Sequence, residues 1–117
     1  LIVDDEPDMV KLVLIRLVKE GYEAISAYDG KSALEAVRTQ NPDLILLDVM
    51  MPQPNGFQVC RTLKDDPELQ HIPIILLTAK GSESDKFWGM EAGADFYLTK
   101  PYHYKELSDK IHAFLDQ

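Results

Sequence analysis

Residues 44–48 read Leu-Ile-Leu-Leu-Asp, which is four apolar residues followed directly by an acid. Residues 74–78 read Ile-Ile-Leu-Leu-Thr and repeat the pattern, with a hydroxyl in place of the acid. Short runs that are apolar on both faces are typical of central strands in a parallel sheet, because helices cover both sides of such a sheet. The two runs therefore predict the middle of an α/β sheet.

Three more short apolar runs and five helix-patterned segments extend this interpretation. The predicted strands are Leu1–Val3, Ala24–Ala27, Leu44–Leu47, Ile74–Leu77 and Phe96–Leu98. The predicted helices lie between Pro7 and Gly21, between Gly30 and Asn41, between Gly56 and Asp65, from Ser84 to Ala92 and from Tyr104 to Leu115. Because parallel strands need helical crossovers, the alternation predicts a five-stranded, doubly wound parallel sheet flanked by five helices, as one domain over residues 1–117.

The first predicted helix has a wide apolar stripe, which we expect to face the sheet. Its members are Val10, Leu12, Val13, Leu14, Leu17 and Val18. In the last helix, Leu107, Ile111, Phe114 and Leu115 are expected to face inward.

Composition excludes several classes of protein. The 117 residues are 45% hydrophobic, which favours a buried core over disorder, and the net charge of -8 argues against a direct nucleic-acid binder. No apolar run approaches the roughly 20 residues of a membrane span. The single cysteine, Cys60, excludes an internal disulfide and predicts a cytoplasmic setting. The chain starts at Leu1, without an initiator Met or a basic leader, so we expect no signal peptide and expect flanking segments.

Polar side chains follow four of the five predicted strands. Asp4 and Asp5 follow the first, Asp48 the third, Thr78 the fourth and Lys100 the last. Each alone has an ordinary explanation: helix-capping acids, a turn residue, a strand-end hydroxyl or a solvated charge. Because the carboxyl ends of parallel strands share one edge of the sheet, we expect the five residues to converge.

Three carboxylates in one place repel each other unless a cation is bound or a pKa is raised. Acids without histidine at a wet edge favour Mg²⁺, which prefers oxygen ligands and retains water. Together with the Lys100 ammonium and the Thr78 hydroxyl, this arrangement suits transfer of a phosphoryl group to a carboxylate oxygen.

Four motifs in the chain resemble those of two-component response-regulator receiver domains. They are Val3-Asp4-Asp5-Glu6-Pro7, Leu46-Leu47-Asp48-Val49-Met50-Met51-Pro52 with Gly56, Leu77-Thr78-Ala79, and Tyr97-Leu98-Thr99-Lys100-Pro101. They occur in the order and at the spacing of the family and cover essentially the whole chain. The resemblance implies a flavodoxin-like fold of the chemotaxis-regulator type. It also implies a phosphoacceptor that is not an enzyme in the usual sense, with only self-phosphotransfer and self-dephosphorylation expected.

The resemblance also implies a role for each motif residue. Asp48 matches the aspartate that accepts the phosphoryl group. Asp5 and Asp48 match the direct carboxylate ligands of Mg²⁺, and the Met50 carbonyl matches a backbone ligand. Asp4 would act mainly through a bound water.

Two further residues match the family's switch. Thr78 corresponds to the hydroxyl that moves toward the phosphoryl oxygens, with which Lys100 pairs. Tyr97 matches the aromatic side chain that follows the threonine inward, although a plain core aromatic is the alternative. An acyl phosphate adds about two negative charges. Since contacts made only in that state shift a two-state equilibrium, we expect the loop after Thr78 and the Ser84–Ala92 helix to move.

The expected partners follow from the same resemblance. They are a sensor histidine kinase or phosphotransfer protein, and an output domain or partner protein, with a homodimer as one option; neither nucleic acid nor membrane is expected to be contacted directly. Trp88 and Phe96 fall on the family's usual output face, and we hypothesise that this face binds a partner or a second copy. The alternative is that Trp88 folds back onto the domain.

Two other functions compete with this interpretation. A haloacid-dehalogenase-type phosphatase also uses an aspartate nucleophile with Mg²⁺, but it needs a second acid two residues later, where this chain has Met50. It also needs a cap domain, for which the chain has no room. A phosphorylation-independent interaction module would typically lack either a residue of the acid pair that follows the first strand, or Asp48, or Lys100. All of these are present.

Overall fold

The computed structural model describes residues 1–79 and 83–116, in which strands and helices alternate. The elements are β1 (Ile2–Val3), α1 (Pro7–Lys19), β2 (Ser26–Ala27), α2 (Gly30–Gln40), β3 (Ile45–Asp48), α3 (Gly56–Lys64), β4 (Ile74–Ala79), α4 (Glu83–Glu91), β5 (Phe96–Lys100) and α5 (Tyr104–Leu115). The strands form one parallel sheet in the order β2-β1-β3-β4-β5. This confirms the predicted doubly wound fold.

Local signals set the starts of three helices. Pro7 begins α1, where its fixed φ suits the first turn and its missing N–H is not needed. Asp29 caps α2 by accepting a hydrogen bond from the Ser32 N–H at 2.7 Å. Asn55 and Gln58 form a reciprocal capping box at α3, which fixes the direction in which the chain enters that helix.

Three strands extend further than the sequence indicated. Asp48 is the last residue of β3, and Lys100 is the last residue of β5 rather than the start of a loop. The reason is that the ladder continues: Asp48 pairs with Leu77, and Thr78 pairs with Thr99. Polar residues that sequence patterning assigns to loops are therefore held by strand hydrogen bonds.

The sheet buries apolar side chains on both faces. On one face, residues of α2 and α3 such as Val37 and Leu63 pack against Ile45 and Leu47. On the other face, α1 and α5 cover Leu46. This alternation along β3 places a helix layer on each side of the sheet, as expected for central strands.

The prediction that the whole apolar stripe of α1 faces the sheet is wrong, because the outer part of the stripe is exposed. Val10 and Leu17 are buried, but Leu12 is 62% exposed and Val18 is 52% exposed. At 3.6 residues per turn, two positions rotate a side chain by about 200°, so Leu12 lies opposite Val10. Among the described residues, no helix combines the length and apolar character needed to cross a membrane.

A single carboxylate connects the end of α1 to one face of α5. Glu20 accepts hydrogen bonds from the Tyr104 hydroxyl, from Ser108 Oγ at 2.8 Å, and faces His112 Nε2 at 3.4 Å. The three α5 residues are spaced four apart, so they lie on the same face of that helix. Glu20 therefore contacts one residue on each of three successive turns of α5.

His112 faces carboxylates through both of its ring nitrogens. Nε2 faces Glu20, whereas Nδ1 lies 2.9 Å from Asp116 Oδ2 and 2.8 Å from the Tyr22 hydroxyl. Because a carboxylate only accepts, both contacts are hydrogen bonds only when the imidazole is protonated. The hydrogen bonds to Asp116 and Glu20 accordingly raise the pKa of His112 above its ordinary value.

We expect the α1–α5 junction to weaken as the pH rises through the raised pKa of His112. A histidine whose pKa is raised by folding stabilises the protein fully below its unfolded pKa, and this contribution is lost above the folded pKa. An NMR titration of the His112 ring should show a lower pKa in Glu20→Gln than in wild type. Glu35→Gln, which removes the same charge from exposed Glu35, is the control. Equal His112 pKa values in both variants would refute the linkage.

Candidate functional site

The carboxyl ends of β1 and β3 bring three acids together. One carboxylate oxygen from each of Asp4, Asp5 and Asp48 lies within 4.8 Å of the other two. Asp4 and Asp48 are only 3% and 4% exposed, whereas Asp5 is exposed. The convergence expected from the parallel sheet is therefore present in the structure, with one side of the cluster open to solvent.

Lys100 reaches this cluster from the edge strand. Its Nζ lies 3.2 Å from Asp4 Oδ2 and 3.2 Å from Asp48 Oδ2. Because β5 is two strands away from β3, at about 4.8 Å per strand, only a long side chain can span the distance. Lys100 therefore bridges the two buried carboxylates.

Backbone N–H groups hold the other oxygens of the same two acids. Asp4 Oδ1 accepts a hydrogen bond from the Glu6 N–H at 3.0 Å, and Asp48 Oδ1 accepts one from the Met50 N–H at 2.9 Å. Both bonds span two residues, the pattern of an Asx turn. Each buried carboxylate thus has one oxygen held by its own loop and the other held by Lys100.

The charges in the cluster are unbalanced, since three carboxylates face one ammonium. Burial raises the pKa of Asp48, and the Met50 N–H and Lys100 only partly oppose this effect. Burial disfavours the charged form of Lys100, but Asp48 and Asp4 outweigh that effect and raise its pKa. A hard divalent cation fits this donor set, because the available ligands are oxygens and one acid faces solvent.

Thr78 lies near the carboxyl end of β4, whereas Tyr97 lies near the start of β5 and pairs with Leu76. Thr78 is 2% exposed and lies one position beyond Leu77, the partner of Asp48, at the edge of the same cleft. Tyr97 is half-buried and packs against the core layer on the α2–α3 side. Lys86 Nζ lies 5.3 Å from the centre of its ring. Thr78 therefore lines the same cleft as Asp48, whereas Tyr97 is not among the described residues that line it.

The chain after Asp48 is held close to β3 by a glycine. A Cβ at Gly56 would lie 2.4 Å from the Asp48 carbonyl oxygen and 2.6 Å from Val49 Cα, so no larger residue fits there. Met50 is 67% exposed, while its N–H donates a hydrogen bond to Asp48 Oδ1. This close approach explains the glycine in the second motif.

A cleft of about 800 Å³ opens beside the acid cluster, and sequence patterning did not predict it. Asp48, Met50, Thr78 and Lys100 line one end of it. Its other walls are formed by α1, through Met9, Leu12, Val13 and Arg16, and by residues 101–104. The one available signal was Leu12, a large apolar residue on the outer face of its helix.

Trp88 does not fold back onto the domain, because it is 55% exposed beside Phe87 at 56%. The two rings meet edge to face with their centres 5.3 Å apart. Phe96 is half-buried under Lys110, whose Nζ lies 4.3 Å from its ring centre. The movement expected in the loop after Thr78 concerns residues 80–82, which lie outside the described residues.

Comparisons with known proteins agree with this geometry. The chain is 44% identical over 115 residues to the alkaline phosphatase synthesis transcriptional regulatory protein PhoP of Bacillus subtilis (strain 168), covering 98% of this chain and 47% of PhoP. It therefore spans about half the length of that curated relative.

Two solved structures are similar over nearly the whole chain. The signal receiver domain of a signal transduction histidine kinase from Syntrophus aciditrophicus is 35% identical with a TM-score of 0.93, covering 98% of this chain and 87% of that one. Chemotaxis protein CheY4 of Vibrio cholerae is 31% identical with a TM-score of 0.89, covering 97% and 95%.

The family described as the response regulator receiver domain matches residues 1–112. Members of this family are generally phosphoacceptors, and they bind Mg²⁺ at an acidic pocket. The chain therefore belongs to the response regulator receiver domain family, whose members serve phosphorelay signalling in two-component systems.

Proposed function

We propose that Asp48 accepts a phosphoryl group from the phosphohistidine of a sensor histidine kinase or phosphotransfer protein. In this step the P–N bond breaks, the histidine nitrogen retains the electron pair, and a P–O bond forms to an Asp48 oxygen. The observation that carries the proposal is the Lys100 ammonium, 3.2 Å from both Asp4 and Asp48 within a cluster of three carboxylates. The positive charge of Lys100 is therefore already in place when the anionic phosphoryl group arrives.

Asp48 suits the role of acceptor better than its two neighbours. It lines the cleft, whereas neither Asp4 nor Asp5 is among the described residues that do so. The Met50 N–H and Lys100 hold its two oxygens, so the nucleophile is oriented before the phosphoryl group arrives. Preorganisation of this kind lowers the barrier to in-line attack.

The donor set also supports binding of Mg²⁺. Asp5, Asp48 and the Met50 carbonyl would ligate it directly, and Asp4 would act through water. The ion, when bound, would screen the negative charges of the carboxylate and the phosphoryl group. Lys100 would pair with the phosphoryl oxygens, and the Thr78 hydroxyl would donate to one of them.

We further propose that the partner protein docks along the cleft. Met9, Leu12 and Arg16 of α1 line it together with Tyr104, whose ring centre lies 4.8 Å from Arg16 Cζ, and Leu12 is 62% exposed. An apolar, partly charged wall next to the acceptor is a surface on which a partner can present its phosphohistidine.

The output is the last part of the proposal. Thr78 and Tyr97 would act as the switch, and the face around Trp88 and Phe96 would carry the signal to an output domain, a partner protein or a second copy. Residues 1–117 would act as one domain, limited to self-phosphotransfer and self-dephosphorylation. A cytoplasmic setting fits the single cysteine, Cys60, which is buried and whose pKa burial raises to about 12.

Incubation with acetyl phosphate and Mg²⁺ should add the mass of one phosphate to the protein. The adduct should disappear in Asp48→Asn and when a chelator removes the metal, because both the acceptor oxygen and the screening charge are required. Intact-protein mass spectrometry measures both results. Turnover of phosphomonoesters without an adduct would instead indicate a phosphatase, and no adduct at all would indicate a passive interaction module.

A further inference from the structure

The first residue of α2 packs directly against the loop that follows Asp48. Gly30 is buried, and a Cβ built on it would lie 2.2 Å from the Pro54 carbonyl oxygen, 2.7 Å from Pro54 Cγ and 2.9 Å from Val59 Cγ2. Two of these atoms belong to backbone or to a rigid ring, so they cannot rotate out of the way. Within the described part of the chain, α2 adds no residue to the cleft or the acid cluster.

Backbone conformation does not explain this glycine. Among the described glycines, Gly21 and Gly93 have positive φ and Gly30 does not. Where φ is not positive, the backbone accepts alanine without strain, and alanine loses less conformational entropy on folding than glycine does. The lack of room for a Cβ atom is therefore the reason for a glycine at residue 30.

The loop that Gly30 contacts is the one that carries Met50. It begins at Asp48 and ends at Gly56, where the backbone returns to touch the Asp48 carbonyl. Pro54 lies between these points, just before the Asn55 cap of α3. Displacing Pro54 therefore moves a segment whose other end holds the Met50 N–H on Asp48.

We propose that Gly30 is a positioning residue for the Asp48–Gly56 loop. Because Gly30 has no side chain, α2 packs closely against Pro54. This packing fixes the position of the Met50 N–H, which donates to Asp48, and of the Met50 carbonyl. The consequence for Mg²⁺ rests on the proposed function, whereas the consequence for the Met50 N–H does not.

Gly30→Ala tests this, with Gly89→Ala as the matched control. A Cβ at Gly89 would meet only the flexible end of Leu76, at 3.1 Å, and Phe57 at 3.9 Å. We expect Gly30→Ala to shift the NMR resonance of the Met50 amide in metal-free protein and to weaken Mg²⁺ binding about tenfold or more. Gly89→Ala should do neither. An unchanged Met50 amide in folded Gly30→Ala would overturn the proposal.

The two readouts separate the possible failures. If wild-type protein does not bind Mg²⁺, the proposed function fails, and the Met50 amide still decides the role of Gly30. If Gly30→Ala does not fold, Pro54→Ala removes the ring from the same contact. Hydrogen exchange at the Met50 amide should then be faster than in wild type, and unchanged exchange would overturn the proposal.

Discussion

Lys100→Met is expected to lower the free energy of unfolding by about 3 kcal/mol at neutral pH. The substitution keeps an unbranched side chain but removes the only described cation within 4 Å of the buried Asp4 and Asp48 carboxylates. Removing one partner of a buried ion pair is costly because the remaining charge stays buried without compensation. Here two carboxylates are left, and they also repel each other.

Urea unfolding at neutral pH measures this effect, and Lys105→Met is its control. Lys105 forms an ion pair of similar length with Asp109, at 3.0 Å, but its side chain is 85% exposed. Exposed pairs contribute less than about 1 kcal/mol, so the control should unfold almost as wild type does. Equal unfolding curves for the two variants would contradict the buried bridge.

The pH dependence of the same variant gives a second check. Asp48 and Asp4 raise the pKa of Lys100, so its contribution is present at neutral pH and is lost only as the pH rises through that raised value. In acid, protonation of the carboxyls removes the need for the ammonium. The difference between wild type and Lys100→Met should therefore shrink as the pH falls.

Asp48→Asn is expected to abolish the phosphate adduct while raising the free energy of unfolding by about 1 kcal/mol. Burial raises the pKa of Asp48, so its ionised form is harder to hold in the folded protein than in the unfolded chain. At neutral pH this ionisation lowers stability, and the cost disappears as the pH falls. Asparagine retains an oxygen for the Met50 N–H and removes one of the carboxylate charges that repel each other in the cluster.

Urea unfolding and intact mass, measured on the same samples, test both parts of this prediction. Asp109→Asn, which removes an exposed carboxylate far along α5, is the control for the loss of one negative charge. It should keep the adduct and leave stability nearly unchanged. If Asp48→Asn is less stable than wild type, the carboxylate stabilises the fold, and the conclusion that its buried charge lowers stability is wrong.

Much of the acid cluster could be predicted from the sequence because it follows from topology. Asp4, Asp48 and Thr78 each come at the end of an apolar run, and parallel strands bring such ends to one edge. The contact of Lys100 with two carboxylates could not be derived in this way. It depends on how far a side chain reaches across β4, which strand order and rotamer decide together.

Contacts between elements that are far apart in the sequence could not be predicted from the sequence either. The cleft depends on how α1 packs relative to residues 101–104, and hydrophobic periodicity wrongly assigned Leu12 to the interior. The link from Glu20 to Ser108 joins residues 88 positions apart. Gly30 and Pro54 are likewise joined only in three dimensions. Local patterning predicts which face of a helix is apolar, but it carries little information about which neighbour that face will contact.

The most direct test of the account is the position of the phosphoryl group in the chain. Borohydride reduces an acyl phosphate to an alcohol, which leaves homoserine in place of the modified aspartate. After treatment with acetyl phosphate and Mg²⁺, peptide sequencing by tandem mass spectrometry should find homoserine at residue 48 alone. Homoserine at Asp4 or Asp5 instead would contradict the assignment of Asp48 as the acceptor.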